Sequence, residues 1–213
     1  MSASSQPRPS LGNDFDDKRR RILAAAGEVF ADRGFVAGTT KDIAARVGLS
    51  QPAIYHYVGS KEDLLHEIAL GIDQTMRGVL ADSGPRGDAR AHLVEIVTRF
   101  TEAVIDSQVP YTVYYKELHQ LSQDLRHQIA EDERLFVSHI AEVVRDLQAS
   151  GDLPSDAPPW VVAQGIVGMI SWTHRWFRSS GPLTPKEIAT VFLDLIGLGQ
   201  AGLGEPTAEP AQA

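Results

Sequence analysis

Thr40-Lys-Asp-Ile-Ala-Ala-Arg-Val-Gly-Leu-Ser-Gln-Pro-Ala-Ile-Tyr-His-Tyr-Val-Gly59 is the stretch whose reading decides the fold. Ile43, Ala44 and Val47 recur at helical spacing, so a short helix is predicted from Thr40 to Val47. Gly48 supplies a turn. Ser50 is placed to cap a second helix, and Pro52 falls in its first turn, where a missing N–H costs nothing. That helix is brief and ends near Tyr57. The two helices can pack through Ile43, Ala44, Val47, Leu49 and Ile54, with small Ala44 permitting close approach, which is the pattern of a helix-turn-helix. The second helix is then free to enter a major groove. At its N-terminus Gln51 has the shape for a bidentate contact with adenine, and Pro52 and Ala53 offer apolar contact to a thymine methyl. Ser50 can serve as cap or as contact.

Outward from this core the chain reads as helices throughout. Upstream, Asp17 to Arg33 carries Ile22, Leu23, Ala26, Val29 and Phe30 on one face, and Gly34 is suited to end that helix. Downstream, Ser60-Lys-Glu-Asp opens a long helix with a stripe of Leu64, Leu65, Ile68, Ile72 and Met76. A Gly/Pro-bearing loop from Asp82 to Gly87 marks a boundary. Beyond it the pattern predicts a helix through Leu93, Ile96, Val97, Phe100 and Val104, a shorter one from Pro110 to about Leu121, and a long one from about Gln123 to Ala149. After the break at Gly151 to Pro159 comes an apolar helix from Pro158 to about Phe177, the turn Ser179-Ser-Gly-Pro, and a last helix capped by Thr184. The expected architecture is all-α: an N-terminal three-helix domain bearing the helix-turn-helix at about 40–59, followed by a C-terminal helical bundle. The expected divisions are a disordered arm (1–16), the helix-turn-helix domain (17–62), a helical body (63–201) and a disordered tail (202–213).

Charge separates the two halves. Of 213 residues 43% are hydrophobic and 23% charged, enough of each for a conventional core, and the net charge is −8. Lys18 to Lys61 nevertheless holds eight Lys or Arg against three acids, a local net of +5, while Glu62 onward holds eleven against twenty-two, a net of −11. A basic head on an acidic body is the footprint of a DNA reader carrying a domain that avoids DNA. With no Cys, disulfides, thiolate metal sites and a Cys nucleophile are excluded, which fits a reducing cytoplasm. The first thirteen residues lack the apolar core of a signal peptide, and Trp160 to Thr173 is shorter than the roughly 20 residues that span a bilayer, so no membrane span is expected.

Ile54-Tyr-His-Tyr-Val-Gly-Ser-Lys-Glu-Asp-Leu64, together with Gly34 through Ile43, closely resembles the DNA-binding domain of the TetR family, the tetracycline-repressor-like regulators. The match covers about Lys18 to Ile68. Val58 departs from it, since an aromatic residue is usual there. The resemblance implies a cytoplasmic bacterial regulator, nucleoid-associated when on DNA, whose partners are double-stranded operator DNA, a small-molecule effector and a second copy of itself. It further implies a repressor released from a palindromic operator when the effector binds, and phosphate contacts from Thr40, Lys41, Tyr55, His56 and Lys61. The Lys18-Arg-Arg-Arg run lies where the helix dipole disfavours cations, so it is either a solvated face or held there by nearby phosphate.

In the C-terminal half the resemblance implies that the last two helices form a four-helix dimer interface. The apolar spacing of Ile188, Val191, Phe192, Leu195 and Ile196 fits this, and Gly165 and Gly168 thin a face of the preceding helix for close contact. An ordinary intramolecular core is the alternative. For the effector, two clusters stand out: Tyr111, Tyr115 and His119 on one helix, and Trp172, Arg175 and Trp176 on another. Arg175 in apolar surroundings must be paired with an internal acid or offered to an anionic ligand. Likeness to family members with a similar Trp, Arg-Trp and Gly-Pro-Leu-Thr run points to a hydrophobic, acyl-type effector. The rival classes are an enzyme, for which seven His residues are the only invitation, and a dimeric scaffold without DNA. No metalloprotease motif, nucleophile elbow or Gly-rich phosphate loop is present, so no catalytic residue, metal or cofactor is assigned.

Overall fold

Helical periodicity without strand alternation yields an all-helical architecture in the computed structural model, which describes residues 11–83, 87–154 and 156–199. The helices are α1 (Leu11–Arg33), α2 (Thr40–Val47), α3 (Gln51–Tyr57), α4 (Lys61–Asp82), α5 (Ala89–Asp106), α6 (Gln108–Glu117), α7 (Gln123–Ser150), α8 (Pro159–Ser171), α9 (Thr173–Trp176) and α10 (Pro185–Leu195). The expected tail, most of the expected arm, and parts of the loops after α4 and α7 lie outside the described residues.

The head is α1 to α3 closed by the start of α4. Ile22, Ala26, Phe30, Ile43, Ile54 and Leu64 are fully buried in its core. Gly34 ends α1 at φ +81°, its N–H bonding to the Phe30 carbonyl at 2.9 Å. Gly48 ends α2 at φ +70°, and the Leu49 N–H bonds back to the Ala44 carbonyl at 3.0 Å. Two expectations are corrected here. Residues 11–16, assigned to a disordered arm, belong to α1, because Phe15 packs on Tyr57 with ring centroids 4.9 Å apart and so anchors the extra turns. The helix expected from Pro158 to Phe177 is broken at Trp172. There the Thr173 hydroxyl donates to the Ile170 carbonyl and the His174 ring meets the Ser171 carbonyl, so side chains compete for the helix's own acceptors.

The body packs α5, α7, α8 and α10 around Leu93, Val104, Ile140, Val144, Ala163 and Ile170. Two elements join head to body. Helix α4 touches α1, α5, α6 and α7, and α6 packs against both α1 and α4. The second joint is reinforced where the Lys116 ammonium donates to the Ala31 carbonyl at 3.0 Å. A clamp ties α4 to α7: the Arg77 guanidinium bonds Asp73 on its own helix at 3.0 Å and Asp132 on α7 at 2.6 Å. Asp73 Oδ1 and Asp132 Oδ2 are buried without partners. Burial pushes the Asp73 carboxyl above the usual aspartate range; Arg77 opposes this and Asp132 adds to it.

Replacing Gly48 by Ala should cost about 1–2 kcal/mol, since L residues resist this left-handed conformation while space around the added methyl is open. Denaturant unfolding of the two proteins checks this, and an unchanged midpoint counts against a left-handed turn. For Asp73, a raised pKa means that the folded chain holds the proton more tightly than the unfolded one. The wild type therefore loses stability relative to Asp73→Asn as pH rises through the folded pKa. Melting temperatures taken between about pH 4 and 8 should show the variant-minus-wild-type difference becoming more positive with pH, whereas a pH-independent difference means Asp73 titrates normally.

Candidate functional site

The outer surface of the head is assembled by caps and short polar bonds. Thr39 caps α2 in a reciprocal box with Asp42, whose side chain accepts from the Thr39 N–H at 3.1 Å. Those bonds, together with Arg33 at 2.8 Å, hold the Asp42 carboxyl below the usual range. Ser50 caps α3 through the Ala53 N–H. At the N-terminus of α3, Gln51 is exposed, and its amide donates to the Thr40 hydroxyl at 2.9 Å. The same hydroxyl lies 3.2 Å from the Tyr55 hydroxyl. Thr40 is itself buried, so it orients the two longer side chains from beneath.

Of the other head residues singled out by sequence, Lys41, Pro52 and His56 are exposed and Ala53 is half-buried. Lys61 lies over the Phe35 ring, 4.4 Å from its centroid, and reaches the Val36 carbonyl at 3.4 Å. In the basic run Lys18 pairs with Asp14 at 2.7 Å, Arg19 with Glu67 at 2.5 Å and Arg20 with Asp17. Since α1 begins at Leu11, the run lies about two turns inside the helix, away from the end where the dipole disfavours cations, and three of its four side chains are held by acids of the same chain.

The body contains a cavity of about 630 Å³. Its walls come from α4 (Ile72, Met76), α5 (Phe100), α6 (Tyr111, Tyr114, Tyr115), α7 and α8. Tyr111, Tyr115 and Trp172 border it, as the sequence reading grouped them; His119, Arg175 and Trp176 do not. His119 is exposed beside Gln120 in the short 3-10 turn after α6. Arg175 stacks over Trp172, 4.6 Å from the ring, and is exposed rather than buried with an acid. Tyr114, which helical spacing puts on the adjoining face of the same helix as Tyr111 and Tyr115, borders the cavity as well, while sequence reasoning missed Glu133 and Arg134. The Tyr114 hydroxyl donates to Glu133 at 3.0 Å, and burial raises the Glu133 carboxyl above its ordinary range. Ile129, Phe136 and Ile140 form the buried stripe of α7, and Glu133 sits four residues after Ile129 on that stripe, a signal present in the periodicity.

Helices α8 and α10 touch and carry several exposed apolar side chains. Trp160, Val161, Val191 and Leu195 are exposed in the single chain, as are Gly165 and Gly168, with Trp160 and Gly168 also bordering the cavity. Phe192 and Ile196 are half-buried. Ile188 is the correction in this group: it is 3% exposed and packs with Ile105 and Phe177 inside the protomer, because the chain after α9 folds back over it.

Residues 22–68 match the family model for bacterial regulatory proteins of the tetR family, and residues 86–199 match the tetracyclin repressor-like C-terminal domain. The HTH-type transcriptional repressor KstR2 of Rhodococcus jostii is 26% identical over 188 residues, spanning 84% of this chain and 89% of that protein. Two solved structures share the fold. The ketosteroid transcriptional regulator KstR2 of Mycobacterium tuberculosis superposes with a TM-score of 0.77 at 24% identity, covering 84% of this chain and 92% of that one. AibR, solved with isovaleryl coenzyme A and operator DNA, gives 0.72 at 24% identity, covering 84% and 98%. With its helix-turn-helix head and its helical body each matched by a family model, the chain belongs to the TetR family of DNA-binding transcriptional regulators.

Proposed function

We propose that this protein is a dimeric repressor, released from a palindromic operator by a small hydrophobic or acyl-type effector. The observation that carries the reading is that one cavity is walled by α4 and α6, the two elements that also pack on the head. An occupant that favours one arrangement of those helices favours one spacing of the two heads. The reading head runs from α1 to about residue 62 and the sensing and dimerising body is 63–201, working in the bacterial cytoplasm and at the nucleoid when bound.

Roles follow from surroundings. Gln51 reads bases, with Pro52 and Ala53 alongside. Lys41, Tyr55, His56 and Lys61 anchor phosphates, Ser50 holds the helix end that meets DNA, and Thr40 steadies Gln51 and Tyr55. Dimerisation uses the exposed face of α8 and α10, through Gly165, Gly168, Val191, Phe192, Leu195 and Ile196. The effector meets Tyr111, Tyr115 and Trp172, with Arg175 one layer out behind Trp172. AibR's complex with isovaleryl coenzyme A supports an acyl-type effector, and the repressor KstR2 supports repression.

Binding-site selection followed by titration at several salt concentrations tests the head. Gln51→Ala should lose about 1–3 kcal/mol of discrimination at one position per half-site, while Lys41→Ala weakens all sequences alike and reduces the salt slope by about one. Reversed effects overturn the assignment. Leu195→Asp should sediment as a monomer at micromolar concentration and lose operator affinity, because it puts a charge in the centre of an apolar contact. A variant that remains dimeric moves the interface elsewhere.

A further inference from the structure

Resting on the cavity as the effector site, the hydrogen-bonding groups on its wall narrow the ligand further. Tyr111 is 2% exposed, and its hydroxyl has no partner although most buried polar groups have one. Burial raises the phenols of Tyr111 and Tyr114 above the usual range, so both remain protonated donors. The Tyr114 hydrogen is already committed to Glu133. One hydroxyl of the wall therefore lacks an acceptor, near a carboxyl that already has its bond, in a chamber walled by apolar residues such as Ile72, Met76, Phe100 and Phe136 and by the uncharged polar residues Ser138, Gln164 and Ser171. Among the described residues the one basic side chain on the wall is Arg134, which is exposed.

Three head groups can be compared on these terms. An ammonium would satisfy Glu133 but leave the Tyr111 hydrogen without an acceptor. A carboxylate would accept that hydrogen but bring a charge into the same poorly solvated surroundings that already disfavour the ionised form of Glu133. A neutral carbonyl accepts the Tyr111 hydrogen, adds no charge and leaves the Tyr114–Glu133 bond intact. We propose that the cavity selects apolar molecules carrying a neutral carbonyl, as in a ketone, ester or thioester, seated on the Tyr111 hydroxyl, and that it rejects the free acid of the same shape. A regulator built this way distinguishes an activated or capped acyl group from its hydrolysis product.

Four probes of nearly equal shape test this by equilibrium dialysis against the full chain at pH 7: 2-acetylnaphthalene, 2-ethylnaphthalene, 2-naphthoate and 1-(2-naphthyl)ethylamine. The acetyl probe should bind about tenfold more tightly than the ethyl probe, the size of one net hydrogen bond, and the naphthoate more weakly than either. Tyr111→Phe should close the acetyl-to-ethyl gap, and Glu133→Gln should raise naphthoate affinity. Naphthoate binding most tightly, or Tyr111→Phe weakening acetyl and ethyl probes equally, overturns the proposal while leaving the cavity as the effector site. The amine binding most tightly, with loss in Glu133→Gln, replaces it with a cation site. If a folded, operator-binding chain takes up none of the four, the cavity reading itself fails, and the proposal with it.

Discussion

Helix α4 has two neighbours to satisfy with one rigid rod. Leu64, Leu65 and Ile68 complete the core beneath the helix-turn-helix, while two turns later Ile72 and Met76 wall the cavity. Each fully buried side chain of this kind is worth about 1.5–3 kcal/mol, so neither end can be freed cheaply. The Arg77 clamp to Asp132 fixes the rod's far portion against α7. A change in the cavity that moves Ile72 or Met76 must therefore be absorbed either by that clamp or by the seat of the head. The clamp holds two buried carboxylate oxygens without partners, so it is the less settled of the two attachments.

Electrostatics in the head work at two scales. The surplus of basic residues sets a positive field, yet many of those residues are tied to acids of the head itself: Arg46 to Glu28 and Asp32 at 2.5 and 2.7 Å, and Arg33 to Asp42 at 2.8 Å. Exposed pairs like these add little stability, on the order of 0–1 kcal/mol each. Their effect is to hold α1 and α2 in a fixed relation and to leave the long-range field to the unneutralised remainder. Lys41, exposed beside Thr40 and Gln51, contributes to that remainder where α3 begins.

The helix-turn-helix was legible in the sequence because everything that makes it is local: an apolar triplet at helical spacing, a turn glycine, a serine cap and a proline in the first turn, all within twenty residues. The last helix was legible for the same reason, its Thr184–Glu187 capping box being visible in the chain. What escaped depends on partners far away. Phe15 extends α1 only because Tyr57 is there to receive it. Ile188 fits an interface stripe by spacing, but Ile105 and Phe177 claim it. Arg175 resembled a buried charge because its neighbours are apolar in sequence, yet the break at Trp172 turns it outward onto the indole. Glu133 was hidden within the run Glu131-Asp-Glu-Arg134, which reads as a solvated face until the stripe of Ile129, Phe136 and Ile140 is drawn through it.

Helix α6 gives the molecule a second route from body to head. One side of it carries the tyrosines of the cavity; the other lies on α1, where a methyl added at Gly27 would come 3.2 Å from Val109. The cavity is thereby connected to the head by two struts acting in parallel rather than by a single chain of contacts in series. Coupling free energies along parallel routes add, whereas a series route is severed by its weakest joint. Damage to one strut then leaves a graded, partial response instead of silence, and the sensitivity of such a regulator can drift by small steps without its ever becoming blind to its ligand.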